Sequence, residues 1–138
     1  MNKTRLITFC GAAASGKTTL SKKIAEEHNA IRLSFDELQC LQHKDLLSHI
    51  KKALTEGKCV VVDALFPCVS QRKMLLDAIN DTECKRILIY MNTPLDECIR
   101  RNAQRKNPLP EFVIESIYKS LEFPEPSEGW DEIVYVEV

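Results

Sequence analysis

Nine consecutive residues carry the clearest chemistry in this chain: Gly11, Ala12, Ala13, Ala14, Ser15, Gly16, Lys17, Thr18 and Thr19. The first eight match G-x-x-x-x-G-K-[ST], the spacing of a phosphate-binding loop. The glycines let the backbone curl until successive N–H groups point inward at an anion. A helix that begins near Gly16 adds about half a positive charge at its N-terminus. Lys17 can then reach the β- and γ-phosphates, and Thr18 can place its hydroxyl on Mg2+. The plain alternative is a strand–helix turn that holds nothing. It fits poorly with a chain that has four glycines and spends two of them here. The motif points to nucleoside triphosphate binding and is silent about the reaction.

Two carboxylates follow at the ends of apolar runs, where open α/β sheets bind ligands. Asp36 closes Leu33-Ser34-Phe35, and Asp63 closes Val60-Val61-Val62. A carboxylate near the γ-phosphate can accept the proton of an attacking hydroxyl, or help hold Mg2+ through water. Asp36 can serve as that base and also cap the helix after it. Asp63 suits a substrate-side or metal-side role, the alternative being a loop cap.

A third feature is the stretch 100–106, in which Arg100, Arg101, Arg105 and Lys106 put four cations into seven residues. A guanidinium forks onto two phosphate oxygens and stabilises charge that develops during phosphoryl transfer. Arg101 and Arg105 are four apart and are expected on one face of a helix end, as part of a lid around residues 100–111. Cations favoured near a helix C-terminus are the duller explanation.

Other polar residues read as background. His28, His43 and His49 have no spacing that demands a site. Lys22, Lys23, Lys51, Lys52, Arg72 and Lys73 read as solvated helix faces, and Trp130 as a packing anchor. No Asn-Lys-x-Asp follows the fourth apolar run, where Asn92-Thr93-Pro94-Leu95-Asp96 stands instead. That argues against a guanine-specific GTPase of the familiar kind.

The elements that must position these groups are legible as alternation. Five β-rich apolar runs, at 5–10, 30–35, 59–64, 85–91 and 132–138, are separated by helical patterns at 17–28, 36–55 (with a break near His43), 70–80, 93–105 and 111–121. The third and fourth runs are nearly continuously apolar, which predicts strands buried on both faces of a parallel sheet. Thr93, Pro94 and Asp96 form a helix start signal. Pro108 and Pro110 stop that helix, and Pro124 and Pro126 predict an extended connection. The whole points to an α/β layered fold with a parallel sheet.

Composition bounds the rest. The 138 residues read as one domain, 1–138. Nineteen Lys and Arg face twenty Asp and Glu, for a net charge of −1. Coating nucleic acid or membrane by bulk charge is therefore excluded, and any polyanion needs a local basic patch. Apolar runs of about five residues are far short of the roughly 20 that cross a bilayer, and no signal peptide opens the chain. The six cysteines (Cys10, Cys40, Cys59, Cys68, Cys84 and Cys98) include no C-x-x-C pair and keep no zinc-finger spacing with the histidines. Reduced thiols, no zinc and a cytoplasmic setting are expected. The last seventeen residues hold six acids and no base, and read as a solvated loop and edge.

Taken in order, these segments resemble the small P-loop kinases. That group includes the 5′-kinase domain of polynucleotide kinases, with gluconate-kinase-like and zeta-toxin-like relatives and AAA-type ATP-binding kinases. The pieces are the Gly11–Thr19 loop, Leu33–Leu38, Val60–Leu75, Arg100–Arg105 with Leu109–Pro124, and Glu128–Val136. The resemblance implies a three-layer P-loop fold with strand order 2-3-1-4-5 and helices on both faces. It implies ATP and Mg2+ as cofactors, and transfer of the γ-phosphoryl group to a hydroxyl. Lys17 and Thr18 take the phosphate and magnesium roles, with the whole loop binding nucleotide. Asp36 matches the general base, Asp63 the acceptor-side aspartate near the metal, and Arg101 and Arg105 the lid arginines. Two positions depart from the pattern. Gln39 stands where polynucleotide kinases have an arginine that helps hold the acceptor's phosphate, and Ala64 where a small hydroxyl residue is common. Both bear on acceptor recognition. The acceptor stays open between a 5′-hydroxyl nucleic-acid end and a small molecule such as a sugar, nucleoside or antibiotic. A non-transferring ATP-binding switch is the third reading, and a base at Asp36 argues against it.

Overall fold

Strands that are apolar on both faces need a layer of helices on each side, and the chain supplies both. A computed structural model describes residues 4–12, 16–34 and 43–137, with His43 and Leu65 by backbone alone. Strands β1 (Arg5–Gly11), β2 (Ile31–Ser34), β3 (Val60–Leu65), β4 (Lys85–Asn92) and β5 (Glu132–Glu137) form one sheet. Helices α1 (Lys17–Glu27), α2 (His43–Thr55), α3 (Val69–Ala78), α4 (Leu95–Ala103) and α5 (Glu111–Lys119) connect them. The order is β2-β3-β1-β4-β5 and every pairing is parallel. The expected α/β fold and strand order are what the chain adopts.

Period-two alternation sorts the two faces. Leu6, Val60, Val62, Leu88 and Tyr90 pack against Leu46 and Ile50 of α2 and Leu75 and Ile79 of α3. Ile7, Phe9, Val61, Ile87 and Ile89 face the other way, onto Leu20, Ile24 and Ala25 of α1. A third cluster joins Ala12, just after β1, to Cys98 of α4 and Ile114 of α5. The phosphate-loop strand is thereby packed directly against the helix that carries the basic cluster.

Three expectations change. The helix expected over 93–105 is shorter, spanning Leu95–Ala103 with Pro94 as its N-cap. Pro94 lacks the N–H a helix interior needs, and it sits one position earlier than expected. At the far end Gln104 N and Arg105 N donate to Arg101 O and Asn102 O, so the last turn tightens and the chain leaves the helix well before Pro108. Second, the connection holding Pro124 and Pro126 is extended only to Glu125, and Pro126–Glu128 then form a short 3-10 turn.

Third, Arg72 is not solvated; it is fully buried. Its Nε donates to Glu128 Oε1 at 2.7 Å and Nη2 to Glu128 Oε2 at 3.2 Å. Nη1 donates to Phe66 O at 2.8 Å and contacts Cys10 Sγ at 3.3 Å, while Nη2 reaches Glu122 O at 2.9 Å. Glu128 also accepts from Trp130 Nε1 at 3.1 Å. Burial pushes the Cys10 thiol up to about 11, the nearby Arg72 charge countering only part of that effect. Cys10 therefore stays a neutral core residue at the base of the loop. One guanidinium thus ties α3, the ends of β1 and β3, and the acidic stretch before β5.

Removing one partner of a buried pair strands the other charge, at a cost of about 3–5 kcal/mol. Arg72→Leu should lower the stability measured by urea denaturation by that amount. An unchanged unfolding midpoint would show the pair to be dispensable.

Candidate active site

The site sits where β1, β2 and β3 end beside the start of α1. Gly11 ends β1, and Gly16 caps α1 with φ 96°, a left-handed conformation that glycine adopts without a Cβ clash. A Cβ at Gly16 would also lie 3.1 Å from Arg101 Nη1. The loop and the basic cluster of α4 are therefore in contact across this glycine. Ala12 is buried, and Thr18 and Thr19 are exposed in the first turn of α1. Ala13, Ala14 and Ser15, and likewise Asp36 and Gln39, lie outside the described residues.

Lys17 leans onto Asp63. Its Nζ is 3.1 Å from Asp63 Oδ1, and the Asp63 side chain is 2% exposed. Arg32, on β2, holds the other carboxylate oxygen, pairing its Nη2 with Asp63 Oδ2. Sheet register explains the meeting. Arg32 pairs with Val61 and Ser34 with Asp63, so Arg32 and Asp63 are diagonal neighbours on one face, within reach of a long side chain. Burial alone would raise the Asp63 carboxyl, but Lys17 and Arg32 outweigh it and hold the group below its ordinary 3.8. The Lys17 ammonium covers Oδ1. Beyond that ion pair Oδ1 is buried and accepts no well-aligned hydrogen bond. Such an oxygen, next to the Thr18 turn, fits a water held by a divalent cation.

On the α4 side, Glu97 accepts from Arg101 Nε at 3.0 Å and pairs with Arg100 as well. Hydrogen bonding from Arg100 first, then Arg101, pulls the Glu97 carboxyl down to about 2. Arg105 lies beyond the end of α4 and is exposed, so it does not share a helix face with Arg101 as expected. It sits in a loop pinned by Asn102, whose Nδ2 donates to Leu109 O at 2.7 Å and whose Oδ1 accepts from Leu109 N at 3.0 Å.

The structure therefore brings together Gly16, Lys17, Asp63 and Arg101, with Thr18 beside them. It adds Arg32, Ser21 and Asn102, which the sequence did not single out. Arg32 sits inside a short β-run with no motif around it, and Asn102 stands in a stretch whose arginines dominate its chemistry. Among the described residues no group of His, Cys, Asp and Glu could hold a metal by itself. A cation here would need the ligand's own oxygens. No helix among the described residues is long and apolar enough to cross a membrane.

The lowered Asp63 pKa makes a signed prediction. The unfolded chain takes up this proton more readily than the folded one, so stability rises with pH through the acid range. The contribution is complete above the ordinary carboxylate value, about pH 4, and is lost as pH falls through the lower folded value. Urea midpoints of the wild-type chain should fall between about pH 5 and pH 3 more steeply than those of Asp63→Asn. Parallel slopes would mean that Asp63 carries no such linkage.

With this geometry in place, three comparisons bear on the chain. Residues 6–124 match a family described as an AAA domain. An L-seryl-tRNA(Sec) kinase of Methanococcus maripaludis is 28% identical over 91% of this chain, which spans 56% of that relative's length. A fungal RNA kinase superposes with a TM-score of 0.81 at 14% identity, covering 100% of this chain and 39% of that one. A gluconokinase from Sinorhizobium meliloti 1021 superposes with a TM-score of 0.73 at 18% identity, covering 100% and 85%. The two superpositions speak for the shared fold; the profile match, over most of the length and including the phosphate loop, places the chain in the AAA domain family.

Proposed function

We propose that this chain is an ATP-dependent phosphotransferase whose acceptor is a hydroxyl carried on an RNA. The observation that supports it most is the meeting of Lys17, Asp63 and Arg101 around Gly16. A turn that held no anion would have no use for a guanidinium set against its glycine with a lysine at the next position. The loop amides and Lys17 bind the triphosphate. Thr18 and Asp63, the latter through water, would hold Mg2+, with the buried Asp63 Oδ1 open to that water once Lys17 turns to the triphosphate. Bound there, the metal neutralises phosphate charge and lowers the repulsion met by an incoming oxygen.

In the transfer the acceptor oxygen forms a bond to the γ-phosphorus as the bond to the ADP oxygen breaks. Asp36 takes the hydroxyl proton. Arg101 and Arg105, on a lid around residues 100–111, stabilise charge on the leaving phosphates. The RNA-borne acceptor rests on the seryl-tRNA kinase relative, since the phosphorylatable group of a seryl ester is a primary alcohol. A small-molecule acceptor is the second reading. It is favoured by Gln39 in place of an arginine, and by the gluconokinase, which this chain matches over nearly its full length.

The deciding experiment is transfer from γ-labelled ATP to a panel of seryl-tRNA, 5′-hydroxyl RNA, nucleosides and gluconate, with Lys17→Ala in parallel. Label should pass to an RNA-linked hydroxyl, and Lys17→Ala should cut turnover at least ~100-fold. Transfer only to gluconate or a nucleoside would replace the acceptor and keep the reaction. Nucleotide hydrolysis without transfer to any of them would favour the switch.

A further inference from the structure

We propose that Arg32 is a positioning residue that fixes the spacing between the two metal-facing groups, Thr18 and Asp63. The inference rests on the nucleotide role just proposed and goes beyond it, because Arg32 belongs to no part of the phosphate-loop motif.

The observation is a continuous run of hydrogen bonds under the loop. Arg32 Nη2 pairs with Asp63 Oδ2 on β3. Arg32 Nε donates to Ser21 Oγ at 3.0 Å. Ser21 Oγ in turn donates to the carbonyl of Thr18 at 2.9 Å, in the first turn of α1. Ser21 is fully buried, and the Arg32 side chain is 12% exposed. The two groups that would face a magnesium ion are thus joined from beneath by one guanidinium and one hydroxyl.

Arginine suits this place for a geometric reason. Its planar fork donates in two fixed directions at once, one toward α1 and one toward β3. A lysine offers a point charge and cannot span both with the same geometry. The charge matters as well. With no nucleotide bound, Asp63 has two cations, Lys17 and Arg32. When Lys17 is drawn to a triphosphate, Arg32 remains, so the buried carboxylate keeps its orientation and a counter-charge. Partners that orient metal-facing groups typically contribute 10–100-fold in metal affinity.

The test is binding of a fluorescent ATP analogue, titrated with Mg2+ and repeated in EDTA, for the wild-type chain, Arg32→Gln, Arg32→Lys, Ser21→Ala and the Arg32→Gln/Ser21→Ala double variant. Arg32→Gln should raise the Mg2+ concentration at half-effect about tenfold, with affinity in EDTA unchanged. Arg32→Lys should recover part of that loss. Ser21→Ala should shift the midpoint less, and the double variant should be no worse than Arg32→Gln, as expected for members of one linkage. An unmoved Mg2+ midpoint overturns the proposal, and so does an equal loss with and without Mg2+, which would make Arg32 merely structural. Should Arg32→Gln fail to fold, Ser21→Ala and Arg32→Lys carry the same two outcomes. A wild-type chain that binds no nucleotide would instead overturn the proposed function, and this inference with it.

Discussion

A buried carboxylate flanked by two cations is the constraint on which the rest of this molecule turns. Asp63 is almost fully withdrawn from water, and an isolated ion there would cost several kcal/mol. Lys17 reaches it from the start of α1, the helix that follows β1, and Arg32 from β2. That arrangement requires β3 to lie between β1 and β2, as it does. Parallel pairing then brings all three strand ends to the same edge, next to the positive end of α1. Strand order and local electrostatics are therefore one fact: another order would leave Asp63 without one of its cations.

The other half of the pocket is built by packing. Ala12 has no side chain beyond a methyl, so α4 and α5 can close on the loop through Cys98 and Ile114. Arg101 is carried by the same helix and lands against Gly16. Glu97 meanwhile occupies both Arg100 and Arg101. In the proposed reaction a polyphosphate arriving at the loop would compete with that carboxylate for the same guanidinium groups.

Much of this was legible beforehand, and the reasons are physical. The phosphate loop has fixed spacing because a tight turn, a lysine and a hydroxyl must meet one ligand. Runs such as Val60–Val62 and Ile87–Ile89 read as buried strands because no polar residue interrupts their faces. What escaped notice depends on pairing across the chain. Arg32 and Asp63 are 31 residues apart, and only the register of β2 on β3 makes them neighbours. Arg72 beside Lys73 looks like any charged helix face; its burial follows from Glu128, 56 residues later, arriving with a matching charge. Asn102 was obscured by the arginines around it, and its role appears only once Leu109 folds back. The helix α4 ends ahead of Pro108 because its last turn tightens at Gln104 and Arg105, a local hydrogen-bond choice that no proline announces.

The bond between Arg72 and Glu128 also ties into the fold a segment that lies past the family match. The family match runs to residue 124, whereas the acid that neutralises Arg72 comes four residues later and is backed by Trp130. A fragment trimmed to the matched span would seal a bare cation beneath the phosphate loop and uncover the outer flank of β4. Sequence kinship and mechanical integrity have different borders here, and the second lies farther along the chain.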